Sequence, residues 1–432
     1  MRAPLLFRVY VAATSLLIPF AAWSETRKLR RQGVPVLRAH EKLGHASQPR
    51  SGGGKLIWFH AASVGESLSV LALITRMGEM LPRAQFLITS GTPTSARLVA
   101  DRLPPRTVHQ FAPLDAAGPV SRFLHHWRPA AAIFVESELW PQMLRMTRAT
   151  GAAMALVNAR LSAKSRAAWA KKPALAAYVF DVFDLILTQN DDMAQAMVNM
   201  HAPAGRVARG INLKSMSAPL PSDPSVLAPA RVAIRDRPVW VAASTHKGEE
   251  TIVLDAHKKL LEAHPELLLI LVPRHPDRSS EVAGIVNSGG FSCAIRSRGE
   301  QPKKGEAVYL ADTLGELGNW YALSDIVFLG GSLFPIGGHN PFEVVQADAA
   351  VLSGPHVMNF AETFADMTET GAARITPDAE ALAEAVGMLL EDSSQRDAAK
   401  QAARDYVQGK SDQLSSIATR LIRMLKLEDE TL

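Results

Sequence analysis

From Lys55 onward the chain alternates two kinds of hydrophobic pattern. Short, almost unbroken apolar runs ("KLIWFHAAS", "AQFLITS", "TVHQFAP", "AAAIFVES", "AAMALVNA", "DLILTQN") are bounded by Gly, Ser, Pro or Asn. Runs of this length without polar alternation read as strands buried on both faces. Between them apolar residues recur at helical spacing: through Met80, in "PTSARLVADRL" and "AGPVSRFLHHW", near Ala167 to Phe180, and from Asp191. Strands alternating with helices of this length predict a parallel sheet covered on both sides, an α/β fold.

The rhythm breaks at "SMSAPLPSDPSVLAPA" (Ser215 to Ala230), where prolines and serines predict a linker. A second series of runs then starts: "PVWVAAST", "LLLILVP", "SCAIRS", "AVYLAD", "DIVFLGGS" and "AVLSGP". The expected organisation is an anchor at 1–25, a doubly wound domain at 26–215, a linker at 216–235 and a second doubly wound domain at 236–432 with terminal helices. The charged helical stretch beyond Pro377 is suited to pack back across the first domain. Ligands of such sheets bind at strand carboxyl ends, where the strand order reverses. The predicted site is a cleft between two facing domains.

The first residues follow neither pattern. "APLLFRVYVAATSLLIPFAAW" (Ala3 to Trp23) is apolar apart from Arg8, and Arg27, Lys28, Arg30 and Arg31 come directly after it. A cleaved secretory signal is the rival reading, with Ala21-Ala22 near a cleavage point. Four basic residues just downstream favour a retained anchor with the rest of the chain on the cytoplasmic side. Composition adds little: 47% hydrophobic and 21% charged residues over 432 positions describe a globular protein. A net charge of +5 suits an acidic ligand or an anionic membrane surface. No basic stripe interleaved with aromatics points to nucleic acid. Cys293 is the only cysteine, so no internal disulfide forms and a reducing compartment is expected.

Polar residues cluster at strand ends. In "FLGGSLFPIGGHNPFE" the pairs Gly330-Gly331 and Gly337-Gly338 let the backbone approach a ligand. Asn340 at an N-cap and Pro341 at the first helical position would leave backbone N–H groups facing an anion, with Glu343 placed for a ribose. The competing view is a glycine-rich turn before an ordinary capped helix. In "HAASVGES", Glu66 falls in the first turn of a helix, where a carboxylate is stabilised yet placed to accept a proton. An ordinary helix-start acid explains the same residue. A nucleophile-elbow reading of Ala61–Gly65 lacks the strands that should precede it. Glu136 and Glu138 follow another strand, and crowded carboxylates are costly unless they bind or catalyse. Arg274 and His275 follow a strand in position for a phosphate. Lys214 is a second candidate cation, and Ser244, Thr245 and His246 are candidate hydrogen bonders. Adjacent His125 and His126 face different ways on a helix and make no metal pair. No metal or cofactor is expected.

The stretches "HAASVGE", "ESELWP", "NARLS", "TQNDDMA", "STHKGEE", "LVPRHPDR", "ADTLGEL", "FLGGSLFPIGGHNPFE" and "GPHVMNF" occur in this order from His60 to Phe360. Together they resemble the 3-deoxy-D-manno-octulosonic acid (Kdo) transferases of lipopolysaccharide assembly. The resemblance implies the GT-B glycosyltransferase architecture, two Rossmann-like domains facing across a cleft behind a membrane anchor. It implies inverting transfer of Kdo from CMP-Kdo to a lipid A precursor, lipid IVA, at the cytoplasmic face of the bacterial inner membrane. By resemblance Glu66 is the general base, and Glu136 and Lys214 support the transition state. The implied CMP-Kdo site takes Ser244, Thr245, Pro273, Arg274, Leu314, Gly315, Glu316, Gly331, Ser332, Gly337 and Gly338, and Asn340, Pro341, Phe342 and Glu343. This chain departs from the family pattern in the apolar insert "LFPI" and in the setting of Lys214, "GINLKSM". A sugar-nucleotide epimerase of the same fold and a non-catalytic nucleotide-binding protein are the rivals. Neither needs a base at Glu66.

Overall fold

The computed structural model describes residues 2–50, 52–213 and 219–430. Contacts divide the chain into two compact units, Met1–Ser217 with Lys410–Leu432, and Ala218–Gly409. The first unit is built on a parallel sheet of β1 (Leu56–His60), β2 (Gln85–Ser90), β3 (Thr107–Phe111), β4 (Ala131–Val135), β5 (Ala153–Ala159), β6 (Leu185–Thr188) and β7 (Val207–Arg209), in the order β3-β2-β1-β4-β5-β6-β7. Every residue of β1 and β4 is buried. This is why their sequences show no polar alternation: successive side chains enter two different apolar layers. Ile57 and Phe59 meet Val70, Ile74 and Met77 of the Val64–Met80 helix, with Ala418, Leu421 and Leu425 of the tail. Trp58 points the other way, against Phe123, Phe134 and their neighbours. Replacing Trp58 by alanine would cost about 3–5 kcal/mol.

The second unit repeats the plan with β8 (Val239–Thr245), β9 (Leu268–Pro273), β10 (Cys293–Ile295), β11 (Val308–Leu310), β12 (Ile326–Leu329), β13 (Ala350–Ser353) and β14 (Ala373–Ile375). The order is β10-β11-β9-β8-β12-β13-β14, again all parallel. In each sheet the order reverses at one strand pair, β1/β4 in the first and β8/β12 in the second. Connections leave to opposite sides there, which opens a crevice beyond the strand ends.

The apolar N-terminal segment forms a helix, Leu5–Arg31, long and apolar enough by length and composition to cross a membrane. It is also tied to its own unit. Tyr10 donates to Asp115 at 2.7 Å, Gln142 donates to Thr14 at 2.5 Å, and Phe7 meets Tyr178 edge-on. Leu29 is buried with Ala39, Ala96 and Phe111. The side facing away carries Leu16, Leu17, Phe20 and Trp23, all exposed.

Three features differ from the sequence reading. The stretch expected as linker, 216–235, contains a helix, Pro224–Ile234, started by Asp223, whose carboxylate accepts from Ser225 N–H at 2.8 Å. Asp-Pro at N-cap and first position is a helix start that the surrounding prolines obscured. Residues 410–432 lie within the expected second-domain bounds, 236–432, yet belong to the first unit, as the expected return of the charged tail across the first domain implies. The helix expected near Ala167 to Phe180 is two, Ala163–Ala170 and Pro173–Phe180, because Pro173 cannot continue the first.

Candidate active site

The first unit gathers three carboxylates at its switch point. Ser63 caps the Val64–Met80 helix and Glu66 closes a capping box. One oxygen of Glu66 accepts from the backbone N–H of Ala62 at 2.9 Å and of Ser63 at 3.4 Å. The Ser63 side chain is a further hydrogen-bond partner of the same carboxylate. A helix-start carboxylate should ionise easily. Here burial, then the charges of Glu138 and Glu136, push the Glu66 carboxyl above the ordinary glutamate value. Such a group takes up a proton more readily than a solvated glutamate.

Glu136 follows β4 with a φ of +53°, its N–H bonded to Val157 O at 3.0 Å. Asn158, the residue after Val157, also has a φ of +53°. Its amide donates to Glu136 at 3.2 Å and its oxygen accepts from Leu213 N–H at 3.2 Å. Non-glycine residues in left-handed conformations cost roughly 1–3 kcal/mol and persist where surroundings dictate them. Two of them holding one carboxylate make a built arrangement. Glu138 is buried against His60 Nε2 at 3.1 Å and Trp140 Nε1 at 2.6 Å. Burial alone would raise its carboxyl, but the bonds and charges of His60, Trp140 and Lys42 outweigh this and hold it below the usual value. Thr89 fixes the other nitrogen of His60 at 2.9 Å.

At the switch point of the second unit, Glu249 is fully buried and accepts four backbone N–H groups: His246 at 2.8 Å, Gly331 at 2.6 Å, Ser332 at 2.9 Å and Leu333 at 2.8 Å. It straps the glycine-rich loop after β12 to the start of the Glu249–Ala263 helix after β8. Gly330 must be glycine, since a Cβ there would lie 2.7 Å from the Thr245 Cα. Ser244, at φ +56°, marks a register shift in β8 against β9. Thr245 is fully buried and its hydroxyl has no hydrogen-bond partner among the described residues. Arg274 N–H bonds Thr245 O at 2.9 Å, while its guanidinium is exposed and makes no hydrogen bond among the described residues.

The structure brings Glu66 and Glu136 to one switch point, and Ser244, Thr245, Pro273, Arg274, Gly331 and Ser332 to the strand ends of the other. Lys214 lies outside the described residues, directly after Leu213. The expected anion cradle needs correction. The N–H groups of Gly331 and Ser332 are taken by Glu249, and Gly338 N–H by Gly331 O at 2.7 Å. The helix after Asn340 has five residues, Phe342–Gln346, too few for a substantial dipole. Pro341, not Asn340, stands at its cap position, and Phe342 N–H bonds the Asn340 side chain at 3.2 Å. Glu316 is held by Arg296 at 2.9 and 3.0 Å and by Thr313; Leu314 is exposed beside Gly315, which has φ +81°. Gly337 leaves room for Asn359 and Gly338 for Val357. Asn158, His60 and Glu249 were not identified from sequence; each looks like an ordinary strand or helix-start residue until its partners are in place. Among the described residues no group of three or more His, Cys, Asp or Glu is arranged to hold a metal ion.

Comparison with known proteins defines the class first. A glycosyltransferase from Rickettsia africae superposes with a TM-score of 0.58 at 12% identity, over 87% of this chain and 99% of that one. A UDP-GlcNAc 2-epimerase from Neisseria meningitidis gives 0.55 at 12%, over 86% and 99%. At such identity these define the fold alone, that of two-domain GT-B glycosyltransferases and the epimerases sharing it. The family model of 3-deoxy-D-manno-octulosonic-acid transferase matches residues 37–217. A probable mitochondrial 3-deoxy-D-manno-octulosonic acid transferase of Arabidopsis thaliana is 32% identical, covering 98% of this chain and 95% of the relative. The Haemophilus influenzae 3-deoxy-D-manno-octulosonic acid transferase is 34% identical over 82% and 83%. The chain belongs to the 3-deoxy-D-manno-octulosonic acid transferase family, and Kdo transfer is its activity.

Proposed function

We propose that the chain is an inverting lipid IVA Kdo transferase that takes Kdo from CMP-Kdo. The observation that carries the reading is Glu66: a half-buried carboxylate at a sheet switch point, with a raised affinity for protons. Glu66 removes the proton of a lipid A precursor hydroxyl as that oxygen attacks the Kdo anomeric carbon. The bond to the CMP phosphate breaks on the opposite face through an oxocarbenium-like transition state, so configuration inverts. Charge developing on the leaving phosphate is met by Arg274, positioned by its backbone bond to Thr245. Glu136, fixed by Asn158, and Lys214 balance charge around the sugar. The strapped glycine loop supplies shape to the donor side, and Asn340 and Glu343 contact the nucleotide.

The acceptor is a membrane lipid, and the exposed apolar side of the Leu5–Arg31 helix supports this reading. Arg27, Lys28, Arg30 and Arg31 at its end support catalytic units on the cytoplasmic side of the inner membrane. The test is incubation of purified protein with CMP-Kdo and a tetraacylated lipid A precursor, with lipid products weighed by mass spectrometry. Mass gain by whole Kdo units supports the reading. An unchanged lipid with intact CMP-Kdo contradicts it.

A further inference from the structure

Two histidines at the β8/β12 switch point face each other. His246 Nε2 and His339 Nε2 are 3.2 Å apart, with ring planes within 14° of parallel and centroids 5.4 Å apart, so the rings meet end to end. His275 stands edge-on to His246 at 5.5 Å. The chain makes room for the pair: a Cβ on Gly331 would lie 2.9 Å from the His339 ring and 3.3 Å from His246. Glu249 fixes the His246 backbone at 2.8 Å, and the Gly338 N–H bond to Gly331 O at 2.7 Å folds the loop so that His339 meets it. Two facing Nε2 atoms form a hydrogen bond only if exactly one of them carries a proton. With both rings neutral, the pair is a donor and an acceptor of opposite tautomers. Adding one proton gives an imidazolium beside Arg274.

We propose that the His246–His339 pair is an anion-binding element of the donor site that takes one proton from solvent when the phosphate of CMP-Kdo binds and returns it when CMP leaves. This rests on the donor reading above. In the free protein burial, then neighbouring positive groups, hold His339 down to about 4; burial also lowers His246. The facing groups are Arg274 and His275 after β9, which disfavour the proton, and Glu249 and Glu250 on the next helix, which favour it at His246. Glu249 is occupied by four N–H groups and Glu250 by Arg278 at 2.8 Å, so neither carboxylate is available as a strong partner. An arriving phosphate supplies the missing negative charge. The buried, unpartnered Thr245 hydroxyl beside His246 is a further donor to the same anion.

The sign follows from linkage. Proton affinity is low in the free protein and higher with anion bound, so donor affinity falls as pH rises between the two values, by up to about tenfold per unit. The experiment is calorimetry of CMP with the full chain at pH 7.5, in buffers of different ionisation enthalpy. There CMP is already largely dianionic, its second pKa being about 6. Net proton uptake, a fraction of a proton per CMP, is expected, with little for cytidine. Free Kdo is the arm that separates the donor's carboxylate from its phosphate: uptake with Kdo but not CMP overturns the phosphate assignment. His339→Gln and His246→Gln should each abolish uptake while CMP still binds more weakly, Gln keeping a hydrogen-bonding end. CMP binding to the wild type without proton uptake overturns the proposal alone. No CMP binding to folded wild-type protein overturns the donor reading itself.

Discussion

The carboxylate of Glu249 holds the backbone of Gly331 at 2.6 Å, joining the helix after β8 to the loop after β12. With Ser332, Leu333 and His246 it completes four N–H bonds inside the fold. Glu249→Ala leaves buried donors without partners, each costing about 1–3 kcal/mol. Chemical denaturation should show the second unit less stable by at least about 3 kcal/mol. A change below about 1 kcal/mol would mean that other groups satisfy the loop.

The N-terminal segment should be separable at one point and not at another. A chain beginning at Thr26 loses the Tyr10 and Thr14 hydrogen bonds, about 1 kcal/mol each, but keeps Leu29 and Ala39. It should fold and act on detergent-dispersed lipid, with weaker action on bilayers. A chain beginning at Gly52 also loses Glu41, which accepts from Phe111 N–H at 2.7 Å, and uncovers Phe111. Its thermal unfolding should come markedly earlier, reflecting a loss of at least about 3 kcal/mol. Equal melting temperatures for the two truncations would contradict the packing of residues 29–47.

Much of the fold was legible because strands buried on both faces leave a simple trace. The runs around Ile57, Phe134 and Val327 contain no polar alternation, and each became a central strand. Edge strands β7 and β14 have three residues each, too few to show any pattern, and they exist through pairing with β6 and β13. The positions of Glu66 and Glu136 were legible because acids after apolar runs land at strand ends. The role of Glu249 was not. Its sequence context, an acid in a first helical turn, predicts a solvated face, and only the tertiary return of Gly331–Leu333 turns it into a buried strap. The same return removed the open N–H groups that the glycines suggested.

Glu138 and Glu66 share a field. The charge of Glu138 is, after burial, the next cause of the raised Glu66 proton affinity. Glu138→Gln removes that charge and should lower the Glu66 value. Since a general base works when deprotonated, the acidic limb of the rate–pH profile should move to lower pH. A limb that stays in place, or moves up, would dissociate Glu66 from the titration that governs rate.

Arg274 carries an exposed guanidinium with no hydrogen-bond partner among the described residues. A charge-assisted contact to phosphate contributes about 1.5–3 kcal/mol, so Arg274→Ala should weaken CMP binding roughly ten- to a hundredfold. Calorimetry with unchanged CMP affinity would remove Arg274 from the donor site.

The central claim is that Glu66 takes the acceptor proton, and rate of transfer by Glu66→Gln is its most direct measurement. Glutamine keeps the size and an oxygen for the Ala62 and Ser63 N–H groups, so the helix start should hold. Part of the carboxylate–dipole interaction is lost, about 0.3–1 kcal/mol, too little to unfold the unit. CMP should bind as in the wild type, because Arg274 and the strapped loop belong to the other unit. The amide cannot accept the proton, and loss of a positioned base costs about 10²–10⁴-fold in rate. A folded, CMP-binding variant slowed by that factor, read as Kdo-bearing lipid by mass spectrometry, is the predicted result; transfer at near wild-type rate would contradict the account.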